Sequence, residues 1–227
     1  MRPLTIVIPT RNRIDKLLAT LDTIPHHDWL TVHIVCDGDE ATYNTLQNKI
    51  EKADIRAKYI NTTLIPEHSG AVKCRNAVLE NIDSDVIYAT DDILFSDGAI
   101  ERAAETSMLA FPNGDGVVGF VQNQSHHPTG VALVGGAFLN HYPSHHLFYP
   151  HYYHFAAQEV LWYCKYREEK EGKTFFIIED RARLNHRHPG FNRNEMDSTH
   201  VDARIRRDSD LGLSMRREQQ GLVWPLG

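Results

Sequence analysis

The sequence predicts an α/β protein built on a mostly parallel sheet with helices on its faces. Three observations predict it. Short apolar runs close in Pro, Gly or Asp, as strands buried on both faces do. Between them lie stretches with apolar residues at spacings of three and four, the mark of amphipathic helices. The two kinds of segment alternate from residue 4 to residue 110, which implies right-handed crossovers between parallel strands.

Each element follows from its own residues. Leu4-Thr5-Ile6-Val7-Ile8-Pro9 is an apolar run closed by Pro and reads as the first strand. Residues 13–23 place Ile14, Leu17, Leu18 and Leu21 on one helical stripe, with Asn12 as the expected N-cap. A second strand over 31–35 ends at Asp37-Gly38, a helix over 42–53 follows, and a third strand is expected near 58–60. After Ser69-Gly70, residues 71–81 read as helix, 85–89 as a fourth strand ending in Thr90-Asp91-Asp92, and 98–110 as another amphipathic helix. Beyond Asn113 the pattern changes, with strands expected over 117–121 and 131–139 and a loop at 124–128 between them. Residues 141–154 carry five His and four Tyr, and Pro143 and Pro150 bar a long helix, so an irregular polar aromatic loop is expected. A helix over 155–170, a strand over 174–178 and an Arg-rich helix over 201–220 complete the chain.

At about 150 residues per domain, 227 residues make one large domain or one domain with an appended lobe. No run approaches the roughly 18 apolar residues of a membrane span, and the run from Leu4 to Pro9 is too short for a signal-peptide core, so a cytoplasmic location is expected. Cys36, Cys74 and Cys164 are odd in number and far apart, which excludes a disulfide framework and a C-x-x-C site and leaves buried thiols. The net charge of −6 is uneven: residues 1–180 carry −9 and residues 181–227 carry +3. The acidic bulk disfavours general nucleic-acid binding, while the basic tail permits a local phosphate contact. Arg204, Arg206, Arg207, Arg216 and Arg217 read as an exposed helix face paired with Asp202, Asp208 and Asp210, with phosphate clamping as the alternative.

Open α/β sheets bind ligands beyond the carboxyl ends of their strands, where strand order reverses. Here those ends carry Pro9-Thr10-Arg11, Asp37-Gly38-Asp39 and Asp91-Asp92. Carboxylates at two such ends suit hydroxyl pairs and a hard cation such as Mg²⁺ or Mn²⁺. The chain has no G-x-G-x-x-G after its first strand, no P-loop, no G-x-S-x-G elbow and no H-E-x-x-H, which removes the usual dinucleotide, NTPase, serine-hydrolase and zinc-protease readings.

The order of four motifs resembles the glycosyltransferases of family 2 type with a GT-A fold, over about residues 4–188. T-I-V-I-P-T-R-N-R at 5–13 resembles the family's opening strand and turn, and V-C-D-G-D at 35–39 its second-strand aspartate. G-A-V-K-C-R-N-A at 70–77 is similar to its Arg-Asn helix start, and A-T-D-D-I-L-F-S-D-G-A-I-E at 89–101 to its metal-binding D-x-D region. The resemblance implies a nucleotide-diphospho-sugar transferase fold. Its catalytic domain would span 1–188, divided into a nucleotide-binding half (1–112) and a partly antiparallel acceptor-side half (113–188), with 189–227 as a basic extension.

The resemblance also implies roles. Pro9, Thr10, Arg11, Asp37, Lys73, Arg75 and Asp91 would bind the nucleotide. Asp92, Asp91 and His186, with His188 as alternative to His186, would hold Mn²⁺ or Mg²⁺. Glu159 would be the base of an inverting transfer from a nucleotide sugar, with a UDP-sugar the leading donor, to a soluble glycan, protein, small-molecule or DNA acceptor. Two departures stand out: Ala89-Thr90 precede Asp91-Asp92 where the family often has another acid, and Gln158-Glu159 replaces a pair of acids. The alternatives are transfer to a modified base in DNA and a nucleotide-sugar-binding module without catalysis.

Overall fold

A computed structural model of the chain describes residues 1–52, 59–123, 129–154, 157–187 and 198–227. Residues 1–112 contain β1 (Leu4–Thr10), α1 (Ile14–Leu21), β2 (Leu30–Asp37), α2 (Glu40–Glu51), β3 (Ile60–Ile65), α3 (Ala71–Leu79), β4 (Asp85–Tyr88), β5 (Ile93–Phe95) and α4 (Ala99–Ala110). There follow β6 (Val117–Gln122), β7 (Ala132–Val134), the short α5 (Gly136–Leu139), α6 (Ala157–Glu171), β8 (Phe176–His186) and α7 (Ser198–Gln219).

The strands form one sheet in the order β3-β2-β1-β4-β7-β6-β8-β5. Neighbours β3, β2, β1 and β4 are parallel, β7 is antiparallel to both β4 and β6, β8 is parallel to β6, and β5 is antiparallel to β8. Both faces are covered. Leu4, Ile6 and Ile8 of β1 enter a cluster with Leu17 of α1, Leu46 of α2 and Ala103 of α4, while Val7 enters another with Val72 and Val78 of α3 and Val160 of α6. That alternation explains why the β1 sequence is apolar at every inner position. Among the described residues no helix is long and apolar enough to cross a membrane.

Several expected elements shift, each for a physical reason. The α1 N-cap is Arg13, not Asn12; Asn12 sits at φ 54° and gives its amide to Asp39 Oδ2 at 2.7 Å. The other Asp39 oxygen caps α2 by accepting from the Thr42 amide at 3.0 Å, so one carboxylate ties two helix starts together. Replacing Asp39 with Ala is expected to lower unfolding stability by about 1–2 kcal/mol, the range of a lost cap, read as a shift in denaturation midpoint.

The third strand lies at Ile60–Ile65, later than expected, and the start of the predicted 58–60 segment falls outside the described residues. The strand expected over 131–139 splits after Val134, because Gly135 passes so close to Gly114 that a Cβ there would lie 2.1 Å from the Gly114 carbonyl oxygen. The next amide, Gly136, donates to Asp85 Oδ1 at 2.9 Å and starts α5. The strand expected over 174–178 extends as β8 to His186, where its far end finds the unpredicted β5 as a partner.

The His/Tyr-rich segment is irregular, as expected, but it is not a surface loop. Tyr142, Leu147, Phe148 and Tyr152 are buried, and Phe148 meets Tyr88 edge-on at 5.1 Å. Each such aromatic contributes roughly 1.5–3 kcal/mol through burial. Asn76 holds the segment's backbone at Phe148 through its side-chain amide, accepting at 3.3 Å and donating at 2.8 Å.

Candidate functional site

Strand order reverses between β1, whose chain continues outward to β2 and β3, and β4, which lies on its other side. Ligands bind at such a reversal, beyond the carboxyl ends of the strands. Thr10, the last residue of β1, bridges the gap by donating its hydroxyl to Asp91 Oδ2 at 2.7 Å. Thr20 of α1 donates to the carbonyls of Asp91 and Ile93, at 3.0 and 2.7 Å, and so fixes the turn that carries both acids.

Asp91 and Asp92 are both buried but do different things. Asp91 faces Arg13, whose Nη1 lies 3.0 Å from Oδ1, and the same nitrogen lies 3.7 Å from Asp92 Oδ2. Burial and the neighbouring Asp92 charge push the Asp91 carboxyl upward, against the pull of Arg13 and Thr10. Asp92 faces His186, with Oδ1 and Nε2 3.2 Å apart. The β5–β8 register, which sets Ile93 opposite His186, creates this approach, and the Arg187 amide extends it by donating to the Asp92 carbonyl at 2.8 Å. His186 Nδ1 lies 3.3 Å from Gln122 Oε1. With Nδ1–H given to that oxygen, Nε2 turns its lone pair toward a carboxylate, and a proton or a cation is needed to reconcile the two.

A mixed oxygen and imidazole pair fits Mn²⁺, provided that a ligand supplies the remaining donors. Among the described residues no group of three or more His, Cys, Asp or Glu side chains forms a metal-holding set. Asp92 and His186, expected to act together, do meet; Asp91, expected as a third ligand, is turned to Thr10 and Arg13. His188 lies outside the described residues.

The cationic side of the crevice is built from Arg13, Arg75, Arg11 and Arg206. Arg75 is buried on α3 and donates from Nη2 to the Ala89 carbonyl at 2.7 Å; burial lowers its guanidinium to about 10, so it stays charged at neutral pH. Its Nε, Arg11 Nη1 and His154 Nε2 are buried with no hydrogen-bond partner among the described residues. Burial first, then the charge of Arg75 and the weaker influence of Arg13 and Arg206, pushes His154 down to about 4, against the opposing charge of Asp210. Buried orphans of this kind ask for an absent partner. Lys73, by contrast, is exposed on α3, and Pro9 is a buried strand residue opposite Val35.

Asp37 ends β2 at the crevice, but its oxygens are already engaged. Oδ1 accepts from the Ser69 amide at 2.6 Å; Oδ2 accepts from the Gly70 amide at 3.0 Å and pairs with His68 Nδ1 at 2.7 Å.

Glu159 is enclosed by its own partners. It is 2 % exposed, and Arg217 grips both oxygens, at 2.6 and 3.0 Å. The Trp224 amide donates to Oε2 at 2.8 Å, and the Tyr152 hydroxyl also donates to the carboxylate. This corrects one expectation, that of an exposed arginine face. Glu159 serves as an anchor for the C-terminal segment, and the arginine tail is not simply an exposed face. Asp210 is buried too, receiving the backbone amides of Tyr153 and His154 at 2.7–3.1 Å, and Arg206 lies 4.3 Å over the Tyr153 ring. Thr199 donates to the Arg11 carbonyl at 2.8 Å, so α7 spans the crevice from β1 to α6. Sequence reasoning missed these contacts because α7 and its partners are separated by 56 residues or more. A concavity of about 450 Å³, lined by Phe111, Lys173 and Phe175, lies at the amino ends of β6 and β8 and contains none of these groups.

No family model matches the chain, and no curated protein does. Solved structures do. The mannosyltransferase PcManGT from Pyrobaculum calidifontis, in complex with GDP-Man and Mn²⁺, superposes with a TM-score of 0.68 at 15% identity, covering 95% of this chain and 64% of that one. TarS from S. aureus gives 0.58 at 16% identity, covering 82% and 60%. GalNAc-T7 with UDP, GalNAc and Mn²⁺ gives 0.60 at 9% identity, covering 82% and 44%. This chain therefore spans from under half to just under two thirds of the length of these neighbours. At such identities the likeness establishes the fold, which is of the GT-A type.

Proposed function

We propose that the chain is a metal-dependent glycosyltransferase of family 2 type that transfers a sugar from a nucleotide diphosphate sugar with inversion. The observation that carries this reading is the pairing of Asp92 with His186 near the buried Arg75 guanidinium, whose Nε has no hydrogen-bond partner among the described residues, at the strand reversal of a GT-A sheet. The paired acid and imidazole suit a cation, and the cationic flank suits a diphosphate. Asp92 and His186 would hold Mn²⁺ or Mg²⁺, which when bound stabilises the negative charge of the departing nucleoside diphosphate. Arg13 bridges the two acids and orients Asp92, while Arg11 and Arg75 supply fixed positive charge toward the same leaving group.

Inversion in one displacement needs a base for the acceptor hydroxyl. Because Glu159 is committed to Arg217, the reading passes this role to His154, whose Nε2 has no partner and whose backbone Asp210 fixes. A bound diphosphate would offset the cations that depress His154 and raise its basicity when donor is present.

A ligand that binds only the folded state raises stability, by about 2.7 kcal/mol at a hundredfold excess over Kd. Thermal unfolding with UDP or GDP and Mn²⁺ is therefore expected to move the midpoint upward by several degrees. An unchanged midpoint with every nucleoside diphosphate tested removes the proposal. The burial of Glu159 favours one other reading, a nucleotide-sugar-binding module without turnover; nucleotide binding with no release of nucleoside diphosphate from any nucleotide sugar would identify it.

A further inference from the structure

Three polar side chains from distant parts of the sequence form one hydrogen-bonded chain at the carboxyl end of β2. Asp37 Oδ2 lies 2.7 Å from His68 Nδ1, and His68 Nε2 lies 2.5 Å from the Tyr153 hydroxyl. The arrangement is held on every side. Gly38 adopts φ 63°, and the loop packs so closely on it that a Cβ there would lie 2.6 Å from the His68 amide nitrogen. Tyr153 rests on Gly70, where a Cβ would meet its ring at 2.7 Å; its amide is held by Asp210, its carbonyl accepts from the Val72 amide at 3.1 Å, and Arg206 covers its ring. Yet the His68 and Tyr153 side chains remain only half-buried, so a ligand can reach them.

The chain has a direction. Asp37 already takes two backbone amides and, as a carboxylate, only accepts, so it must receive the Nδ1 proton of His68. In the neutral form of His68, Nε2 is then a bare lone pair, and the Tyr153 hydroxyl gives its proton to it. What Tyr153 offers outward is therefore an oxygen that only accepts. Asp37, with its oxygens occupied, is a positioning residue rather than the group that touches the nucleoside.

Resting on the nucleotide-sugar reading above, we infer that Tyr153 reads the nucleobase of the donor and that His68 and Asp37 set its polarity, so that the site selects a keto base. Uracil at N3 and guanine at N1 present an N–H at the centre of their pairing edge. Cytosine at N3 and adenine at N1 present a bare nitrogen there, which would face the Tyr153 lone pair. A site built around one hydrogen-bond polarity discriminates strongly against the ligand that lacks it.

The test is calorimetric binding of UDP, GDP, CDP and ADP in Mn²⁺, with N3-methyl-UDP as a probe that replaces the hydrogen in question by a methyl group. Expected are UDP and GDP binding at least about tenfold tighter than CDP and ADP, N3-methyl-UDP losing that advantage, and Tyr153→Phe bringing UDP and CDP to within about twofold of each other. The N3-methyl comparison uses the unaltered protein and so holds even if the variant folds poorly. Equal binding of UDP, CDP and N3-methyl-UDP overturns the inference and leaves the nucleotide reading intact. Failure of all the nucleotides to bind overturns both.

Discussion

Replacing Arg217 with Ala is expected to lower unfolding stability by about 3–5 kcal/mol, because it strands a buried carboxylate. Glu159 is 2 % and Arg217 4 % exposed, and they share two hydrogen bonds. The Tyr152 hydroxyl and Trp224 amide that would remain are neutral and cannot balance the charge. The reverse change, Glu159→Ala, leaves the guanidinium, among the described residues, with the Gly227 backbone oxygen at 2.6 Å and the Tyr149 ring at 3.7 Å, and should cost a similar amount. Replacing both together by apolar residues of similar volume, Glu159→Leu with Arg217→Met, should recover most of the loss. Urea denaturation of the two single variants and the double variant measures all three terms. Single-variant losses under about 1 kcal/mol would show that the pair is not the anchor described. Glu159→Gln then tests the chemistry: turnover per folded molecule abolished in that variant would return the base to Glu159.

Asp92→Asn is expected to reduce release of nucleoside diphosphate from the donor by about 10²- to 10³-fold, the range seen when one fixed electrostatic contact to a developing charge is lost. The fold should survive. The side chain is isosteric, it can still accept from the Thr90 hydroxyl, now at 2.8 Å, and its neutrality relieves the like charge beside Asp91. Apparent Mn²⁺ affinity should weaken in the same variant, and a chelator should abolish activity of the parent protein. Full turnover in Asp92→Asn, measured across a Mn²⁺ titration, would contradict the placement of the cation.

The parts of the fold legible in the sequence are those encoded by local periodicity. β1, α1, β2 and α2 each carry a complete strand or helix pattern within a dozen residues, and the acids at the ends of β2 and β4 could be found because the chain turns there. Elements that depend on remote partners left no such trace. β5 is only three residues, Ile93–Phe95, and is a strand because β8 runs beside it. The same pairing brings His186 to Asp92, an association that the sequence suggested by resemblance and could not supply from spacing. The aromatic segment looked polar because His and Tyr dominate its composition; its buried faces are set by α3, α6 and β4. Arg217 and Asp210 looked like ordinary charges on a solvated helix, because nothing within one turn distinguishes them from Arg216 or Asp208. His68 carried no motif at all, and only contact with Asp37 and Tyr153 gives it meaning.

The pairing of β5 with β8 also orders events in time. Residues 4–65 can collapse into three adjacent parallel strands as soon as they leave the ribosome, since each crossover is short and local. The turn bearing Asp92 is held by Thr20 from the early part of the chain, but its neighbouring strand is nearly a hundred positions downstream, and the Asp92 carbonyl waits for the amide of Arg187. A nascent chain halted before β8 would therefore hold its first three strands in place while Asp92 still lacked His186 as a neighbour.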